Sequence, residues 1–181
     1  LTAIDNPYAR LPQVPEFTVT SAAAGDGRPL PLPQMSGAFG IPGGEDRSPD
    51  LTWSGTPEGT RSFAVTVFDA DAPTMSGFWH WAVAGIPATV TTLPAGAGDD
   101  TGPGLPPGAV QLPNDARLAR YIGAAPPAGH GPHRYFITVH ALDVERLDVP
   151  ADGTPALLDF TMTGHVLGRA TIVATAETPA G

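Results

Sequence analysis

The chain has 181 residues, enough for one domain with a sizeable core, and its 41% hydrophobic content excludes a disordered polymer. A formal net charge of −9 argues against a nucleic-acid binder, which needs a basic footprint, and against attraction to anionic membrane surfaces. All nine basic residues are arginine and cysteine is absent, which removes lysine Schiff bases, thiol nucleophiles, disulfides and thiolate metal sites.

Glycine and proline, 22 of each, punctuate the chain into short apolar runs, the pattern of many short strands joined by turn-rich loops. Phe17 to Ser21 reads as a first strand, with Phe17 and Val19 alternating against threonines. A loop-rich stretch from Gly25 to Pro49 precedes a brief strand at Leu51 and Trp53. Arg61 to Phe68 and Trp79 to Ile86 are stronger strands, and His133 to Leu142 is a third. Between Pro87 and Pro113 the chain is again rich in glycine and proline; so long a connection in a compact domain is usually functional or mobile. Pro155 to Leu167 is the best helix candidate, with Thr154 as N-cap and proline at the first helical position, and Ala170 to Ala176 closes the chain as a strand. Neither a repeat nor a linker divides the chain, so residues 1–181 read as one domain. No run approaches the ~18 apolar residues of a membrane span, so no stable membrane insertion is expected. Leu1 to Arg10 lacks the basic and apolar regions of a secretory signal. With cysteine absent, the expected location is cytoplasmic.

Three segments carry the chemistry. In Phe63-Ala-Val-Thr-Val-Phe-Asp-Ala-Asp-Ala-Pro73, strand alternation places Phe63, Val65, Val67, Asp69 and Asp71 on one face, an apolar stripe ending in two carboxylates. Such a stripe fits a strand leaving the core at a pocket rim, although paired aspartates also brace turns. In Phe78-Trp-His-Trp-Ala-Val83, His80 shares a face with Phe78 and Ala82; a histidine buried there needs a polar partner or a cavity. In Tyr121 to Tyr135, a glycine- and proline-rich loop runs into a strand that begins at His133, with Tyr135 on the same face. The loop offers free backbone N–H groups, the raw material of an anion-binding nest. His130, His140 and His165 read as a loop residue, a residue on the face opposite His133 and a surface residue, and none is assigned a site role.

Asp69-Ala-Asp-Ala-Pro73, the His80 tryptophan strand and Gly123…Pro126-Pro127…His133-Arg134-Tyr135 occur in an order that resembles the phosphatidylethanolamine-binding protein family. Ser48-Pro49-Asp50-Leu51-Thr52-Trp53 is similar to a further family element, so the match spans residues 48 to 142. Asn6-Pro7-Tyr8 and the His130-Gly-Pro-His133 loop look most like actinobacterial members, often described as kinase-inhibitor-like. The resemblance implies a mainly β fold: a large central antiparallel sheet packed on a smaller sheet, with few short helices. It implies a pocket for phosphate, a carboxylate or a phospholipid head group, lined by Asp69, Asp71, Phe78, His80, Tyr121, Gly123, His133 and Tyr135. It implies neither metal nor cofactor, a homodimer, and a protein-kinase partner, since animal relatives restrain kinases. Three departures are visible: Ala70 replaces the usual proline between the aspartates, Ala125 replaces a loop glycine, and no tyrosine follows Leu167.

The reading is therefore a small-ligand binding protein that accepts an anionic group. The alternative is an acid–base lyase or hydrolase in which two carboxylates and two histidines act on a small anionic substrate. The absence of a Gly-x-Ser-x-Gly elbow and of a His-Glu-x-x-His helix weighs against a serine or zinc hydrolase. A sharp turn after Asp71, together with the resemblance, leads us to expect a cis Ala72–Pro73 bond.

Overall fold

The computed structural model describes residues 6–181; the first five residues of the Leu1–Arg10 stretch read for a signal lie outside the described residues. Among the described residues, eight strands form two antiparallel sheets. The smaller contains β1 (Thr18–Thr20), β2 (Leu51–Ser54) and β5 (Thr92–Leu93), in the order β1-β2-β5. The larger contains β3 (Ser62–Asp69), β4 (Phe78–Pro87), β6 (Val110–Gln111), β7 (His133–Leu142) and β8 (Val166–Ala176), in the order β6-β4-β3-β7-β8. The expected mainly β architecture, a larger sheet against a smaller one, is the one observed.

Alternation explains the packing. In β2, Leu51 and Trp53 are buried while Thr52 and Ser54 face solvent. Trp53 meets the Phe63 ring of β3 edge-on at 5.3 Å, which joins the two sheets. Phe63, Val65, Val67, Trp81, Val83, Ile137 and Val139 fill the space between them. Each such side chain contributes roughly 1.5–3 kcal/mol on burial. The far face of the large sheet is covered differently: Ala64 and Ala82 are small enough to let helix α1 (Pro155–Met162) approach, and Leu158 and Met162 pack there with Leu112 and Leu142. Burial on both faces is why β3 and β7 read as nearly continuous apolar runs.

Helix α1 starts as expected, with Thr154 Oγ1 accepting from Leu157 N at 3.1 Å and Pro155 in the first turn. It ends at Met162, five residues before the expected Leu167. The chain turns at residues 163–165, and β8 begins at Val166 because it pairs with β7 along its whole length, from His133↔Ala176 to Leu142↔Val166. Tertiary pairing here outweighs local helix preference. β5 and β6, two residues each, lie inside the stretch that the sequence presents as loop. No helix among the described residues is long and apolar enough to cross a membrane.

Candidate anion site at the end of the large sheet

The register of the large sheet assembles the site. Asp69, the last residue of β3, pairs across to Phe78 at the start of β4 and to Tyr135 near the start of β7. Three strands therefore end together, and Asp69, His133 and Tyr135 converge with Phe78 and His80. A register irregularity between Val67 and Phe68 leaves His80 unpaired, so it faces the cavity while Ala82, expected on its face, packs on the far side of the sheet. A cavity of about 230 Å³ opens there, lined by Asp69, Phe78, His80, His133 and Tyr135 together with Phe39, Pro73 and the Ala125–Pro127 loop.

Its polar groups are tied together in a fixed order. Asp69 Oδ2 accepts from His133 Nδ1 at 2.7 Å, with both side chains nearly fully buried. His133 Nε2 in turn stands 2.7 Å from Nδ1 of His130. Because the carboxylate can only accept, His133 carries its proton on Nδ1; Nε2 is then the acceptor and His130 the donor. His80 Nδ1 donates to the carbonyl of Ile122 at 2.9 Å, so its remaining nitrogen holds a lone pair while the ring is neutral. Burial pushes the His80 pKa below its ordinary value, although the Ile122 carbonyl and the Asp69 charge oppose that shift. Burial and the adjacent Asp69 charge push the Tyr135 phenol far up, so it stays protonated and a donor. The walls are apolar: the Phe78 ring lies 4.8 Å from His80, and Phe39 meets Phe78 edge-on at 6.4 Å.

Three residues expected at the pocket stand behind it. Asp71 is a clamp: Oδ2 accepts from Arg134 N at 2.9 Å and Nε at 2.8 Å, and Oδ1 accepts from Nη2 at 2.8 Å. These bonds hold its carboxyl below the usual range and fix the start of β7 next to His133. Gly123, expected to turn its amide toward a ligand, donates it instead to Asp46 Oδ1 at 2.8 Å. Its Cα approaches the Met35 backbone so closely that a Cβ would lie 2.3 Å from the Met35 carbonyl carbon, so no larger residue fits. Tyr121 donates its hydroxyl to Gln34 O at 2.8 Å. Together Gly123 and Tyr121 anchor the loop that delivers Phe39 to the cavity wall.

The turn after Asp71 also differs from expectation. No cis peptide bond occurs among the described residues, so Ala72–Pro73 is trans. The reversal is spread over residues 70–77 instead. Asp69 Oδ1 accepts from Asp71 N at 2.8 Å, Thr74 Oγ1 donates to Gly77 O, and Gly77 adopts φ 69° beside the Phe68 ring.

Sequence reasoning passed over Phe39, which nothing in its loop marks, and His130. The signal for His130 was present: two histidines three residues apart, separated by Gly131 and Pro132 in a tight loop, can bring their rings together.

Comparison with known proteins identifies the fold. The family described as phosphatidylethanolamine-binding protein matches residues 20–177. The UPF0098 protein YbcL of Escherichia coli (strain K12) is 48% identical over 160 residues, covering 88% of this chain and 87% of that protein. The UPF0098 protein YbhB of the same strain is 44% identical over 149 residues, covering 82% and 92%. The crystal structure of E. coli YbcL superposes with a TM-score of 0.86 at 47% identity, covering 90% of this chain and 99% of that one. A homologue from Chlamydia trachomatis, CT736, gives 0.73 at 30%, covering 90% and 98%. With the same two-sheet fold and a match that contains all three motif segments, the chain belongs to the phosphatidylethanolamine-binding protein family.

Proposed function

We propose that the protein binds a small ligand bearing a phosphate, phosphoryl or carboxylate group in the Asp69–His80–His133 cavity. The observation that carries this reading is the placement of two buried imidazoles and a protonated phenol, beside the Asp69 carboxylate, in a hole walled by Phe39, Phe78 and prolines. Asp69 opposes an anion by its charge, but both its oxygens are already engaged, by His133 and by the Asp71 amide. The His80 ring adds a proton condition. Its Nδ1 proton is committed to Ile122 O, so its Nε2 donates to an anion only after the ring has gained a proton. Anion binding therefore takes up a proton, and affinity falls as pH rises. A ligand with its own acidic hydroxyl, such as monohydrogen phosphate or a phosphomonoester, meets the neutral ring instead as a donor.

Calorimetric titration of inorganic phosphate and of phosphoethanolamine tests this reading. His80→Ala and His133→Ala should each lose about 1–3 kcal/mol of binding, and His140→Ala almost none. Repeating the titration in buffers of different ionisation heat should reveal proton uptake. Equal affinity in wild type and both pocket variants would leave the two histidines as core structure. The Asp69–His133–His130 chain favours a second reading, a pocket acid–base catalyst, because it links a buried carboxylate to an exposed ring nitrogen. Turnover of phosphomonoesters that is lost in His130→Ala would select it.

We also propose a homodimer, as the family resemblance implies, supported by the large apolar side chains left at the surface, Phe160 on α1 and Met75 near the cavity. A monomer mass by light scattering across concentrations would reject it.

A further inference from the structure

A second cavity, of about 420 Å³, lies on the opposite face of β7, lined among others by Tyr8, Glu16, Phe17, Phe136, Arg169 and Val173. The alternation that turns His133 and Tyr135 toward the first cavity turns Phe136 toward this one. Arg169 enters it from β8, opposite His140 in the register.

Arg169 is unusual among the nine arginines. It is only 8% exposed, yet no carboxylate lies within 4.0 Å of it among the described residues, whereas buried cations are ordinarily paired. Its guanidinium sits 5.2 Å from the Tyr8 ring, and its Nη1 donates to Pro12 O at 3.2 Å. Its Nε is buried without an acceptor. No neighbouring group pairs with it in contact. His140 is held neutral by burial and by Arg169 itself; Asp159 attracts the guanidinium only from beyond ion-pair distance while burial raises its pKa, and Glu16 is exposed. The site thus combines a cavity, a buried cation with no carboxylate in contact and an unsatisfied donor.

We propose that this cavity binds a small monocarboxylate with a flat apolar body, its carboxylate group against the Arg169 guanidinium. The planar fork of arginine matches the two oxygens of a carboxylate. Tyr8, Phe17 and Phe136 offer aromatic walls to the body of the ligand. Glu16 lines the same cavity and repels a dianion more than a monoanion, which favours a carboxylate over phosphate. This inference is independent of the Asp69 cavity.

Benzoate is the probe, and amide chemical shifts report where it binds. In wild type at millimolar benzoate, the amides of Tyr8, Thr171 and Val173 should move, and neutral benzamide should leave them still. Arg169→Gln should weaken benzoate on the order of tenfold or more. Ala9→Trp, at an exposed position on the cavity lining, should block access to a similar extent without touching the guanidinium. Circular dichroism establishes folding, and if Arg169→Gln does not fold, Ala9→Trp decides. Undiminished affinity in the folded variants, equal binding of benzamide, or shifts confined to residues around Asp69 would each overturn the proposal.

Discussion

His133 and His140 stand on the same strand, seven residues apart and equally buried at 1% exposure, and they have little else in common. The odd separation puts them on opposite faces of β7. His133 has an ionisable partner at each nitrogen, Asp69 on one side and His130 on the other. His140 shares a hydrogen bond with Thr66 Oγ1 at 2.9 Å through Nε2, and its Nδ1 has no partner. Burial and the charge of Arg169 lower the His140 pKa to about 3. Equal burial thus yields one histidine wired into a charge network at a cavity and one kept neutral inside the fold. Partners, not depth, decide what a buried imidazole can do.

The largest consequence concerns acid stability. The folded state refuses His140 a proton that the unfolded chain takes up near the ordinary value of 6.5. The contribution is complete above that value and is lost as pH falls toward 3, on the order of 4 kcal/mol across the window. His80, lowered by burial, adds a loss of the same sign. Urea unfolding at a series of pH values should show the decline, and His140→Phe should flatten it. A variant that loses stability in parallel with wild type would show that His140 does not carry the effect.

Removing the partners sharpens the contrast at pH 7. Asp69→Ala leaves the His133 Nδ1 proton and the Asp71 amide without an acceptor, at a cost of about 3 kcal/mol. Thr66→Val removes one neutral hydrogen bond from His140 and should cost about 1 kcal/mol. If the two unfolding midpoints shifted equally, the carboxylate would hold no special place in the network.

Much of this contrast was legible in the sequence, because period-two alternation fixes which side chains share a face. Parity grouped Asp69 with its strand face, Phe78 with His80, and His133 with Tyr135, and the family resemblance joined the three groups into one pocket. Gly123 and Tyr121 could not be placed. A glycine needed for close approach to Met35 has the same letter as one needed to expose an amide, and only the position of the loop carrying Gln34, Met35 and Asp46 separates the two. Helix α1 was found by its cap, but its end was set by the pairing of β8 with β7, which no local pattern announces. The Arg169 cavity escaped for a similar reason: Tyr8 and Arg169 are 161 positions apart in the chain, and their contact exists only after folding.

The smallest expected effect separates the two roles open to His130. The ring is exposed, lies between Gly129 and Gly131, both at positive φ, and donates to His133 Nε2 at 2.7 Å. An anion that accepts from His133 must break that bond and needs a proton on Nε2 as well, because the Nδ1 proton is committed to Asp69 and Nε2 cannot serve both partners. His130 is therefore an internal competitor, and the mobility expected of a glycine-flanked loop lets it leave at modest cost. His130→Ala should tighten phosphate binding about fivefold, the equivalent of about 1 kcal/mol for one released hydrogen bond. Stability should fall by about 1 kcal/mol, since the buried His133 Nε2 loses its donor. The gain should vanish in His130→Ala/His133→Ala, because the competition requires both rings. Calorimetric titration of phosphate into the single and double variants measures the coupling directly. Weaker phosphate binding in His130→Ala would reverse the assignment: His130 would then be a donor to the ligand, and the bond to His133 would be its resting position.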